Sequence, residues 1–258
     1  MRALVFLFAF FLAGCFSGCV PQTSFLSDAR GDVAAADGQL AMRRTVIVKT
    51  AVFFVDPETE KPIHVSQMGT GVVAGHRNGH TLVMTAAHVC AANPKIVKMV
   101  KGKEVEVEMS VTINAVEDLD LKDHFSRIIY AGKPPENDVC FLDADGIFGE
   151  VTAFAALPPP AGAPVIYAGA PNAAYDLHSV WVVDGRYCGR QHFGDGEHIL
   201  DTYSLPGHPG ASGGGIYYRG ELVGIMVMIG KTNTHISYSV ELPNILEAFA
   251  EARRRWKP

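Results

Sequence analysis

Basic charge is in short supply in this sequence: 22 Lys and Arg stand against 27 Asp and Glu, the formal net charge is −5 and the sequence pI is near 6.0. No long basic run offsets that balance, which excludes a general nucleic-acid binder. Arg253, Arg254 and Arg255 do cluster, but at the end of a helical pattern, where cations complement the helix dipole. The apolar run at the N-terminus, Ala3 to Ala13, is well short of the roughly 20 residues that a membrane-spanning helix needs. Cysteine is scarce too, with five in the chain, so this is not a scaffold built on disulfides. No close Cys/His pair has the spacing of a zinc site, and the ten histidines are scattered as surface histidines are. No metal and no cofactor is expected.

What is present begins with a targeting segment. Arg2 is the only charge before the Ala3 to Ala13 run, which ends in Leu12-Ala13-Gly14-Cys15. Those four residues resemble the lipobox of bacterial lipoproteins, which implies cleavage before Cys15 and a lipid on its thiol. Ordinary cleavage near Gly18-Cys19 is the alternative, and either way the protein is expected to be exported. The lipidated form would sit in the cell envelope on its anchor; the other would be secreted or periplasmic. Export permits disulfides. With Cys15 and Cys19 near the start, Cys90, Cys140 and Cys188 allow at most one bridge among themselves, with a remaining thiol free or paired with Cys19. Val20 to Met42 is rich in Ala, Ser, Gly, Gln and Asp without sustained periodicity, and residues 16–42 are expected to form a flexible tether behind a signal segment at 1–15.

From Thr45 onward, short β-prone runs are bounded by turns: Thr45 to Val55, Gly71 to Ala74, Thr81 to Thr85, Ile96 to Val100 and Val105 to Ile113. Asn78-Gly79 suits a two-residue hairpin. Glu104, Glu106 and Glu108 alternate with Val105, Val107 and Met109, the period of a strand with one wet face. Four prolines between Pro158 and Pro164 exclude a central strand or a helix, so 157–164 reads as a linker between halves at 43–156 and 165–258. Strands resume at Val165 to Ala168, Val180 to Val183, Ile199 to Tyr203, Gly215 to Tyr218, Leu222 to Ile229 and Ile236 to Val240. Asp184-Gly185 and Arg219-Gly220 fall where hairpin turns belong. Pro243 to Trp256 is helical, with Ile245, Leu246, Phe249 and Ala252 near one face. The pattern predicts two all-β halves and a C-terminal helix.

Chemistry concentrates in Gly207-His208-Pro209-Gly210-Ala211-Ser212-Gly213-Gly214-Gly215, where one hydroxyl lies among five glycines. Read alone, it is a surface turn or a backbone made for close approach to a ligand. A serine nucleophile needs a base, usually an imidazole held by a carboxylate. His88 qualifies, because Leu82-Val83-Met84-Thr85-Ala86-Ala87-His88 delivers it at the end of an apolar strand. Thr85-Ala86-Ala87-His88 resembles the histidine motif of the trypsin-like, chymotrypsin-fold serine proteases, and Gly210-Ala211-Ser212-Gly213-Gly214 resembles their serine motif. The family also requires an aspartate leading into an apolar strand, which Asn137-Asp138-Val139-Cys140-Phe141-Leu142 supplies. His88 and Asp138 are 50 residues apart, and Ser212 follows Asp138 by 74.

The resemblance implies two six-stranded antiparallel β-barrels and a triad of His88, Asp138 and Ser212 that hydrolyses peptide bonds through an acyl-enzyme. It places the backbone N–H groups of Gly210 and Ser212 in an oxyanion hole. Ala211 stands where zymogen-activated members carry an aspartate, which implies a bacterial type of site assembled without that switch. Pro206 replaces the aspartate of trypsins six positions before the serine, and Val227, Met228 and Ile229 would wall the substrate pocket, favouring small or aliphatic side chains. Cys90 and Cys140 each lie two residues beyond a triad member, so the family arrangement would bring them together in a bridge, unless both remain buried thiols. Asp118, Asp120, Asp123, Asp143 and Asp145 are the other acids nearby and read as solvated surface charge.

Other readings remain open at this point. Gly210-Ala211-Ser212-Gly213-Gly214 also fits the G-x-S-x-G nucleophile elbow of an esterase, which needs a helix after the serine and a downstream histidine, for which only His235 is available. A non-catalytic envelope lipoprotein that keeps the protease fold as a binding module is the other. The expected partners are a protein or peptide substrate and the membrane through Cys15, with no nucleic acid, and the chain is expected to be a monomer.

Overall fold

Along β1 (Thr45–Val55), Val46, Val48, Thr50, Val52 and Phe54 turn inward while the residues between them are less buried. That period of two sets one face of a strand on a core. The computed structural model describes residues 30–258 apart from 57, 92–94, 101–102, 171–179, 194–197 and 231, and it builds two closed antiparallel barrels from such strands. Cys15, Gly18-Cys19 and the targeting run lie outside the described residues.

The first barrel takes β1, β2 (Pro62–Arg77), β3 (His80–Thr85), β5 (Lys103–Glu117), β6 (Asp123–Ala131) and β7 (Cys140–Asp145) in the order β1-β2-β3-β7-β6-β5, closed by β5 against β1. β4 (Lys95–Val100) extends the sheet beyond β5. The second takes β8 (Pro164–Gly169), β9 (Trp181–Phe193), β10 (His198–Tyr203), β11 (Gly215–Tyr218), β12 (Glu221–Ile229) and β13 (Ser237–Val240), closed in the order β10-β13-β12-β11-β8-β9. Two six-stranded barrels and a C-terminal helix, α3 (Leu242–Arg255), are the architecture expected. Asn78 and Gly79 both have positive φ, 50° and 84°, as the hairpin between β2 and β3 demands, and Arg219 and Gly220 do the same between β11 and β12.

Four local expectations fail, each for a packing reason. Arg30–Arg43, expected in the tether, is a helix, α1. Its alanines favour helix, and its end has tertiary partners: Ala41 is buried in the first core cluster, and Gly38 lies under the Val182 side chain. Asp184-Gly185 is no hairpin turn but lies inside β9, opposite Ile166 and Val165. A β-carbon on Gly185 would meet Leu205 Cδ2 at 2.4 Å, so this glycine serves close packing. No strand was expected over 114–136, yet β5 runs on to Glu117 and β6 spans Asp123–Ala131. β6 escaped notice because its inward residues, His124 and Ser126, are polar while Phe125 points out. Asp143 is not solvated: its carboxylate is buried in β7 and accepts from Arg127 and from Trp256 Nε1.

α3 straps the barrels together. It leaves the second barrel with Leu242 in that core, stacks Phe249 on Phe154 near Phe141 of the first, and is followed by the buried Trp256. A Cys90–Cys140 disulfide, with Cα atoms 6.5 Å apart, ties the segment after β3 to the start of β7. A cross-link spanning 50 residues removes about 4 kcal/mol of unfolded-state entropy. Replacing both cysteines by Ala is expected to lower unfolding stability by about that amount, read from denaturant unfolding.

Candidate active site

β3 ends at Thr85, whose hydroxyl donates to Thr70 O at 2.6 Å, and the chain then enters a single helical turn, α2 (Ala87–Cys90). This turn is held from outside by side chains. Gln67 Nε2 donates to His88 O and Val89 O at 3.0 and 2.7 Å, and Thr50 Oγ1 donates to Val89 O at 2.7 Å. With its backbone fixed, His88 presents a half-exposed ring from a buried segment.

Asp138 is buried at the entrance to β7 and contacts His88 twice. Its Oδ1 accepts the His88 backbone N–H at 2.9 Å, and its Oδ2 lies 2.6 Å from His88 Nδ1. One carboxylate thus fixes both the position and the ring of the same residue. The neighbouring Asn137 donates to Tyr130 OH at 2.6 Å, and Gly132 N donates to Val139 O at 2.8 Å, anchoring the loop on either side. Bonded in this way, the imidazole carries its proton on Nδ1 and leaves Nε2 as the acceptor.

The serine loop docks on this same strand end. A β-carbon on Gly213, which has φ +87°, would fall 2.0 Å from Thr70 O and 2.3 Å from Thr85 Oγ1, so only glycine lets the loop approach so closely. Ser212 O accepts from Thr70 N at 2.8 Å, and Gly213 N donates to Met226 O at 2.7 Å. Gly210 has φ +90°, a conformation that side chains resist. Among the described residues, the amides of Gly210 and Ser212 donate to no protein acceptor. Ser212 Oγ and His88 Nε2 likewise have no hydrogen-bonded partner there. The structure therefore joins His88 to Asp138 directly and brings Ser212 to the same strand end through its backbone, without a bond between Ser212 and His88. Such bonds are often long before substrate arrives.

Of the pocket residues, Val227 is buried in the first core cluster, Pro206 is partly exposed and Met228 is exposed. Ile229 lies across Gly207, where a β-carbon would sit 1.9 Å from Ile229 Cγ2. Sequence reasoning missed Thr70, Gln67 and Tyr167, which hold the backbone around the site. It also missed Trp181, 43% exposed and edge-on to His208 at 6.2 Å between ring centroids. The Gly69-Thr70-Gly71 run was the only available signal for Thr70.

Other acids do not compete. Asp118 pairs with His124 Nε2 at 2.8 Å beside a surface cavity of about 480 Å³ that contains no serine. Burial would raise the Asp118 carboxyl, yet hydrogen bonds from His124 and from the Lys122 and Asp120 amides hold it below the usual range. Asp120, Asp123 and Asp145 are exposed. After Ser212 the chain enters β11 rather than a helix, and His235 is exposed in a turn, so the nucleophile-elbow reading fails on the fold. No group of three or more His, Cys, Asp or Glu is arranged for a metal among the described residues.

A model of the trypsin-like peptidase domain matches residues 69–225. The search of curated proteins returns no match. Among solved structures, a serine-to-alanine variant of Rv3671c from M. tuberculosis in its inactive form aligns with TM-score 0.60 at 17% identity, over 93% of this chain and 98% of that one. The HtrA-type protease AlgW with a decapeptide aligns with TM-score 0.64 at 15% identity, over 86% and 67%. The serine endoprotease from Yersinia pestis aligns with TM-score 0.56 at 16% identity, over 84% and 66%. At these identities the likeness is one of fold.

Proposed function

Because the chain belongs to the trypsin-like peptidase family, we propose that it is an exported serine endopeptidase working through His88, Asp138 and Ser212. The observation that carries this reading is the double contact of Asp138 with His88, on the strand end where the serine loop docks. Ser212 Oγ attacks the scissile carbonyl as His88 Nε2 takes its proton; His88 then gives that proton to the leaving amine, and water hydrolyses the acyl-enzyme by the reverse relay. Asp138 stabilises the imidazolium. The Gly210 and Ser212 amides receive the oxyanion, which suits their having no acceptor among the described residues. Ala211, buried in the second core cluster, offers no acid for an activation ion pair, so the site is read as assembled without cleavage.

Export and a lipid anchor at Cys15 belong to the same proposal, supported by the apolar N-terminal run and Leu12-Ala13-Gly14-Cys15. The purified protein is expected to react with a fluorophosphonate at Ser212 and to turn over peptides in preference to lipid esters. Peptide binding without turnover or labelling would instead favour a non-catalytic module.

Ile229 is read as the residue that limits the pocket, since its side chain covers Gly207. Ile229→Gly is expected to shift preference toward large side chains at the cleavage site by about tenfold or more in kcat/KM ratio, read from a peptide series. An unchanged profile would place the pocket elsewhere.

A further inference from the structure

We infer that the hydroxyls of Tyr167 and Thr70 are positioning groups that orient the oxyanion donors, an inference that rests on reading Ser212 as the nucleophile. Three successive carbonyls of the serine loop are each anchored. Thr70 Oγ1 donates to Gly210 O at 2.9 Å, Tyr167 OH donates to Ala211 O at 3.0 Å, and Thr70 N donates to Ser212 O at 2.8 Å. Gly214 N is a second donor to Ala211 O, also at 3.0 Å. In a trans peptide the C=O of one residue and the N–H of the next point in opposite directions. Holding Ala211 C=O against the buried phenol therefore turns the Ser212 N–H the other way, out of the second barrel. Holding Gly210 C=O, with φ at +90°, fixes the frame from which the Gly210 N–H projects.

The surroundings are shaped for these two hydroxyls. Tyr167 is 1% exposed, and a β-carbon on Gly169 or Gly214 would fall 1.8 or 2.6 Å from its hydroxyl oxygen. Both glycines thus make room for the phenol. Thr70 Oγ1 also accepts from Ala170 N at 2.9 Å, so its proton is committed to Gly210 O. Burial pushes the Tyr167 phenol far above its usual range, so it stays a donor at any working pH. Tyr167 comes from β8 of one barrel and Thr70 from β2 of the other. The pair fixes the loop across the barrel interface with neutral donors, where Ala211 supplies no charge.

The test compares wild type, Tyr167→Phe, Thr70→Val and Thr70→Ser for kcat, KM and inhibition by a peptide aldehyde, whose adduct with Ser212 places an oxyanion on these amides. Tyr167→Phe keeps the ring that fills the space and removes only the donor. It is expected to lower kcat and aldehyde affinity together by about tenfold or more, with KM within about twofold and the thermal midpoint little moved. Thr70→Val should behave alike, and Thr70→Ser should restore what Thr70→Val loses. Unchanged kcat and aldehyde affinity in Tyr167→Phe, while wild type is labelled at Ser212, would overturn the inference and leave the nucleophile standing. Wild type that is not labelled at Ser212 removes the nucleophile reading itself. If Tyr167→Phe does not fold, equal activity of Thr70→Val and Thr70→Ser overturns the inference.

Discussion

Ser212→Ala is expected to abolish fluorophosphonate labelling and to lower kcat on peptides by about a millionfold, with KM nearly unchanged. The alcohol is the only group proposed to form a bond with substrate, and no neighbour substitutes for it: Thr70 and Thr85, the nearest hydroxyls on the docking strands, are committed to backbone carbonyls. The fold should not notice the change. Ser212 Oγ has no hydrogen-bonded partner among the described residues, whereas the loop is held by its backbone, so the thermal midpoint should stay within about a degree or two. His88→Ala should cost a comparable factor, and the double variant little more than either, because base and nucleophile act as one unit. The measurement is steady-state peptide hydrolysis with active-site titration. Wild-type peptidase activity persisting in Ser212→Ala would remove the mechanism.

How much of this was legible in the sequence depended on whether a residue's role is local or assembled. Thr85-Ala86-Ala87-His88 announces itself because apolar strand, small residues and histidine are contiguous, and the glycines around Ser212 do so because positive φ is a local demand. The β-prone apolar runs of β1 and β12 were readable for the same reason. β6 was not, since its buried His124 is satisfied by Asp118 rather than by an apolar core, which breaks the pattern that a strand normally writes. Asp143 and Trp256 lie 113 residues apart, and nothing near either one predicts their bond. Tyr167 read as one more apolar strand residue. Only the closed barrel reveals that its hydroxyl reaches Ala211 O, 44 residues away. Gly185 misled in the opposite direction: glycine after aspartate signals a turn, yet here it makes space for Leu205.

Asp138→Asn is expected to lower kcat by about ten-thousandfold while leaving KM and the fold nearly intact. The geometry dictates why an isosteric change is so costly. Asp138 Oδ1 accepts the His88 backbone N–H at 2.9 Å, a donor whose direction is set by α2. Asparagine must keep its carbonyl oxygen on that N–H, because the amide nitrogen would meet it donor against donor. Its NH₂ then occupies the place of Oδ2, 2.6 Å from His88 Nδ1, and obliges Nδ1 to accept. The imidazole proton moves to Nε2, facing Ser212, and a protonated Nε2 cannot take the serine proton. The ring stays in place, so substrate affinity and thermal midpoint should survive, and the loss should appear in acylation and in deacylation, which use the same base. Pre-steady-state acylation rates measure it directly, and nitrogen NMR of the His88 ring reads the tautomer. A variant with Nδ1 still protonated and acylation intact would show that Asp138 supports the loop without setting the base.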